Sequence, residues 1–166
     1  MTDDITARDF AIQAHGDQLY GDRPYVEHLD AVAAIVRSWS FMGPIEEAAY
    51  LHDVVEDTDF EVADIESRFG PLTAGAVWAC TGEGETRADR MAAIYAKCAK
   101  NGRGAVVKLA DRTANLEACK PGDRHAKRYL GEHQSFREHI KPFVPAFCWD
   151  RYVTAVSRAM GGEGAE

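Results

Sequence analysis

The chain has 166 residues, 46% hydrophobic and 28% charged, with a net charge of −8, which suits one domain with a continuous core that needs no disulfides or structural metal. No apolar run approaches the ~20 residues of a membrane span, so a transmembrane helix is excluded. The acidic balance argues against broad nucleic-acid binding, which draws on a basic face to displace phosphate counterions.

The first residues, Met1-Thr2-Asp3-Asp4, carry neither the basic nor the apolar region of a signal peptide, so a cytoplasmic location is expected. Residues 4–15 place Ile5, Phe10, Ala11 and Ala14 on one helical face, and Gly16 and Gly21 bracket the loop that follows. Pro24 opens a second helix with the stripe Leu29, Val32, Ala33 and Val36, and His28 stands one position before it. Gly43-Pro44 opens a third, in which Ile45, Ala48, Ala49 and His52 recur at i, i+3, i+4 and i+7, so His52 is predicted to point inward. Asp59 is predicted to cap a helix carrying Val62, Ile65 and Phe69; Gly70-Pro71 ends it and starts another that reaches Cys80.

Beyond the polar loop from Thr81 to Glu85, helices are predicted over 86–100 and 103–119, the latter with Val107, Ala110 and Ala114 inward. An amphipathic helix over 126–139 and one around Trp149 complete the chain, and the residues from Gly161 onward read as a frayed tail. No alternating strand pattern with hairpin turns is present. The prediction is an all-α, single-domain bundle of about seven or eight helices over residues 1–160, with 161–166 as the tail. Cys80, Cys98, Cys119 and Cys148 form no CxxC pair and are expected to be reduced and mostly buried. Trp39, Trp78 and Trp149 are expected in the core, and His15, His125, His133 and His139 as structural or exposed. Lys97, Lys100, Arg103, Lys108 and Arg112, with Asp111 as the single acid among them, suggest a local site for a small anion.

The densest chemical feature is His52-Asp53-Val54-Val55-Glu56-Asp57, one imidazole and three carboxylates within about a turn and a half of helix. A bare acidic run is usually a solvated helix end, but an inward histidine needs a partner. His52 and Glu56, and Asp53 and Asp57, are four apart and share faces, so one pair can hold a metal while acids beside it handle protons. Pro24-Tyr25-Val26-Glu27-His28 and Val107-Lys108-Leu109-Ala110-Asp111-Arg112 supply further candidate ligands. Alone, His28 reads as a cap or surface residue and Asp111 as an ion-pair partner of Lys108 or Arg112.

Taken in order, Ala14-His15-Gly16-Asp17-Gln18, Pro24-Tyr25 with His28, Leu51 to Thr58, Ile65 to Gly70, and Val107 to Arg112 with Asn115 resemble the HD superfamily, whose name records the His-Asp doublet. The resemblance is greatest to RelA/SpoT-type alarmone hydrolases and their small stand-alone relatives. It implies an HD-type helical bundle and one divalent metal, usually manganese, held by His28, His52, Asp53 and Asp111. It also implies proton transfer by Glu56 and Asp57, with Asn115 at the ribose. Lys108 shares a helical face with Asp111 and is added, on spacing alone, as a phosphate contact.

The chain departs from that family after Gln18, where Leu19-Tyr20-Gly21-Asp22-Arg23 stands in place of an Arg/Lys pair near the guanine. Tyr20 offers a face for a base or a residue for the core, Arg23 keeps a positive charge nearby, and Tyr129 either approaches the nucleotide or packs. The implied activity is removal of the 3′-pyrophosphate of guanosine tetra- or pentaphosphate, a small-molecule substrate, without nucleic-acid or membrane partners; the oligomeric state is open. Hydrolysis of another nucleotide (an adenosine alarmone, a nucleoside monophosphate or a dinucleotide cofactor) and a nucleotide-binding sensor without turnover are the alternatives.

Overall fold

A computed structural model describes residues 5–162. Its helices in chain order are α1 Ala7–His15, α2 Val26–Ser38, α3 Pro44–Leu51, α4 Val54–Asp57, α5 Val62–Cys80, α6 Arg87–Cys98, α7 Gly102–Ala118, α8 Arg124–Gly131, α9 His133–Ile140 and α10 Ala146–Ala159. The architecture is all-α. No helix among the described residues is long and apolar enough to cross a membrane.

Every residue of α7 from Gly104 to Leu116 is buried, as expected of a helix surrounded by others. It packs against α2, α3, α5, α6 and α10. Gly104 allows close approach to α5, because a Cβ there would stand 2.5 Å from Ala79 Cβ. The stripe Leu29, Val32, Ala33 and Val36 of α2 is fully buried, as its spacing predicts. Cys80, Cys98 and Cys148 are buried and Cys119 partly so, all four as free thiols.

Local chemistry explains where elements begin and break. Thr86 and Asp89 form a reciprocal capping box at the start of α6. The cap of α5 is Glu61, in a capping box with Asp64, and not Asp59: the box satisfies two amides at once where a lone aspartate would satisfy one. Within α5, Gly70 leaves helical geometry (φ 82°, ψ 170°) before Pro71, whose ring disfavours a helical residue ahead of it.

Other expectations are corrected. Residues 126–139 form two helices, α8 and α9, parted at Glu132, whose carboxylate ties Arg87 of α6 to Arg112 of α7. A minimal hairpin exists, Leu19–Tyr20 paired antiparallel with Arg23–Pro24; its two-residue turn has Gly21 at φ 66°, and two residues per strand are too few for an alternating pattern to register. Trp39 and Trp149 are core residues, but Trp78 is 42% exposed. Of the terminal tail, residues 163–166 lie outside the described residues, as do residues 1–4 of the N-terminal reading.

Candidate active site

Three helices and one helix break bring the predicted residues together. Pro44 at the first turn sets α3, which ends at Leu51, so His52 is its C-cap and Asp53 adopts φ −100°, ψ −6° before α4 restarts. The continuous helix through Asp57 expected from the sequence is therefore interrupted at the doublet, which turns both side chains toward α2 and α7. His28 comes from the first turn of α2 and Asp111 from the middle of α7.

One ring nitrogen or carboxylate oxygen from each of His28, His52 and Asp53 lies within 4.8 Å of the others. Asp111 Oδ1 stands 3.3 Å from His28 Nε2 and 3.6 Å from His52 Nε2. His52 Nδ1 donates to the Ala49 carbonyl at 2.9 Å, so its proton is on that nitrogen and the lone pair is on Nε2. Nε2 is fully buried without a hydrogen-bond partner, 3.1 Å from Asp53 Oδ2. A buried lone pair facing two carboxylates is repulsive unless a cation stands between them, and an imidazole oriented through its other nitrogen is a standard arrangement for a metal ligand. The donor set, two nitrogens and two oxygens, fits a divalent metal.

The electrostatics agree. Burial alone would raise the Asp53 and Asp111 carboxyls and depress His52. Their mutual charges reverse this: His52 holds Asp53 low, Lys108 holds Asp111 well below the usual carboxylate range, and Asp53 lifts His52 well above an ordinary histidine. Lys108 Nζ donates to Asp111 Oδ2 at 2.8 Å, so its charge is spent inside the protein, on the second oxygen of a candidate ligand.

Glu56 and Asp57 open onto solvent at the edge of this cluster. Burial by the surrounding protein pushes both up from their ordinary values; the Gly82 amide, donating to Glu56, opposes the rise there, and the charge of Asp53 adds to it at Asp57. Tyr25 donates its hydroxyl to Asp53 at 2.5 Å and reaches Asp57 at 3.3 Å.

Tyr20, Arg23, Asn115 and Tyr129 line one cleft of about 630 Å³ together with His28, Asp53, Asp57 and Asp111. Asn115 is held on both sides: its amide nitrogen donates to Asp111 Oδ1 at 2.6 Å, and its oxygen accepts from the Tyr20 hydroxyl at 2.6 Å. Lys108 and Glu56 line an adjoining chamber of about 100 Å³, which shares Asp111, Asn115 and Tyr129 with the cleft.

Several cleft residues were missed from sequence. Arg87, His125 and Arg128 line it, although none sits near a motif. Tyr25 had a signal, since it lies three residues before His28, one helical turn away. The basic run from Lys97 to Arg112 is not a single anion site: Lys97 pairs with Glu83, Arg112 is buried against Glu132, and Lys100 and Arg103 are exposed. Helical phase points its members in different directions.

The HD domain family model matches residues 7–135. A probable guanosine-3′,5′-bis(diphosphate) 3′-pyrophosphohydrolase of Synechocystis is 36% identical over 116 residues, 64% of this chain and 15% of that protein. The pyrophosphohydrolase MESH1 of Danio rerio is 33% identical over 131 residues, 72% of each chain. A solved metazoan ortholog of SpoT, described as hydrolysing ppGpp, superposes with a TM-score of 0.78 at 25% identity, over 93% of this chain and 94% of that one. This chain thus spans a small part of the Synechocystis relative and most of the zebrafish one. Divalent-metal dependence is implied by the family and matches the donor set found here. By the extent of the model match and of the zebrafish alignment, the chain belongs to the HD domain family.

Proposed function

We propose that the chain is a metal-dependent phosphohydrolase that removes the 3′-pyrophosphate of guanosine tetra- or pentaphosphate, yielding GDP or GTP and pyrophosphate. The observation that carries this is the convergence of His28, His52, Asp53 and Asp111 beside a cleft whose edge holds two carboxylates that bind their protons more tightly than ordinary ones. Relatives in both sequence and structure are named for this hydrolysis.

In this reading His28, His52, Asp53 and Asp111 hold one divalent ion, and we assign Mn²⁺, a borderline first-row cation that accepts mixed nitrogen and oxygen donors. Such an ion supplies Lewis-acid polarisation of a phosphoryl oxygen and a lowered pKa for water. Glu56 and Asp57 take up and return protons, which their raised affinity suits. Tyr25 fixes the Asp53 and Asp57 carboxylates, and Asn115, Tyr20 and Tyr129 border the nucleoside, with Arg23 toward its charge. Lys108 serves phosphate indirectly, by holding Asp111 in place. Residues 1–160 act as one domain in the cytoplasm, with a nucleotide as partner and no nucleic acid.

The test is hydrolysis of a nucleotide panel with Mn²⁺ present, reading the released products. Pyrophosphate and GDP from guanosine tetraphosphate are expected. Preferential turnover of an adenosine alarmone, a nucleoside monophosphate or a dinucleotide would replace the substrate, and nucleotide binding without turnover would make the protein a sensor.

A further inference from the structure

Lys97 is 6% exposed on α6, far in sequence from every candidate ligand, and an ammonium is not buried without partners. Its partners all belong to one place, the last turn of α5 and the loop leaving it. Nζ donates to the Thr81 carbonyl at 2.9 Å, pairs with Glu83 Oε2 at 3.3 Å and stands 4.4 Å from the centre of the Trp78 ring. One charge therefore clamps the residues on both sides of Gly82.

Gly82 is the residue that meets Glu56. Its amide donates to the Glu56 carboxylate. A Cβ at this position would stand 2.7 Å from Glu56 Oε1 and 2.7 Å from Arg90 Cβ, so bare backbone is all that fits. The geometry points to Lys97 as a positioning residue for Glu56, acting through the Thr81–Glu83 loop; this rests on the reading of Glu56 as a proton carrier.

The Gly82 amide favours the ionised carboxylate, against burial and the charges of Asp53 and Asp57 and alongside Lys108. Arg87, Arg90, Asp111 and Arg112 are the other charged groups around the chamber that Glu56 faces. Releasing the loop removes one donor and leaves these groups in place. The proton affinity of Glu56 then rises, and the acid limb of the turnover–pH profile moves to higher pH.

The experiment is a double-mutant cycle in the Mn²⁺-loaded protein, with Mn²⁺ affinity measured separately by calorimetry. Lys97→Met keeps the stem and removes the donors. Turnover is expected to fall roughly 10-fold, as for a displaced catalytic group, with Mn²⁺ affinity unchanged, the acid limb moved up, and Lys97→Arg retaining most of the rate. In a Glu56→Gln background the same substitution should cost nothing further, because the group it positions is already gone. An equal loss in both backgrounds, or a wild-type rate and pH profile in Lys97→Met, overturns the inference. If Lys97→Met does not fold, Gly82→Ala applies the same cycle by pushing directly on the carboxylate. A wild-type rate in Glu56→Gln itself removes Glu56 from the chemistry and this inference with it, an outcome distinct from failure of the clamp alone.

Discussion

The Tyr20 ring lies flat on the His28 imidazole, with centroids 4.7 Å apart and planes 7° from parallel. Its hydroxyl meanwhile holds Asn115, which in turn holds Asp111. Tyr20 is therefore not an independent platform for a base: one face is already covered by a candidate ligand, and the residue braces two members of the metal set. Tyr20→Ala is expected to weaken Mn²⁺ binding as well as substrate binding, the latter by ~1–3 kcal/mol if the free face stacks on the base. Tyr20→Phe keeps the stack and loses only the hydrogen bond, about 1 kcal/mol. Calorimetry with Mn²⁺ and KM for guanosine and adenosine alarmones provide the check. Wild-type metal affinity in Tyr20→Ala would show that the stack does not brace His28.

Asp53→Ala and Asp111→Ala should both lose metal binding, yet differ in stability. Asp111 is the partner of Lys108, whose ammonium is buried, and its own proton affinity is held down mainly by that lysine. Removing one member of a buried pair strands the other charge and costs about 3–5 kcal/mol. Asp53 faces His52, which can shed its proton and become neutral once that carboxylate is gone, so no fixed charge is stranded there. Denaturant unfolding of the metal-free proteins should therefore find Asp111→Ala much the weaker; equal midpoints would contradict the role given to Lys108.

Glu56→Gln should slow turnover by roughly 10²-fold or more, the scale of a lost acid–base group, with metal still bound. The same substitution should stabilise the metal-free fold at neutral pH. Because the carboxyl binds its proton more tightly in the folded state, its contribution to stability is present at low pH and is lost as pH rises through the raised folded value. Glutamine stays neutral and avoids that loss. Thermal melts should show a higher Tm than wild type near pH 7, converging below the ordinary glutamate value of about 4.3.

Chelation should abolish activity and Mn²⁺ should restore it best. With the ion removed, the lone pair of His52 faces two carboxylates, and a proton is the only cation left to occupy the gap, which is why its affinity rises in the metal-free cluster. Metal rebinding should therefore release protons, and calorimetry in buffers of different ionisation enthalpy will count them. Full activity in metal-free protein would eliminate the metal-dependent reading.

The helical runs, the buried stripe of α2 and the inward-pointing His52 were legible in the sequence, because periodicity and residue type are local properties; the grouping of His28, His52, Asp53 and Asp111 came only from the resemblance to the HD superfamily, since no spacing relates residues on three different helices. Other features depended on elements distant in the chain. The break at the doublet aims His52 and Asp53 across to α2 and α7, and Tyr25 reaches Asp53 from 28 residues away. Lys97, one member of a basic run on paper, turns inward to hold the loop beside Glu56. Arg87, His125 and Arg128 reach the cleft from α6 and α8 with no motif to mark them. Spacing along one helix states which residues share a face, but which faces meet is decided by packing around α7, where close approach at Gly104 and the pairing of buried Arg112 with Glu132 fix neighbouring helices against it.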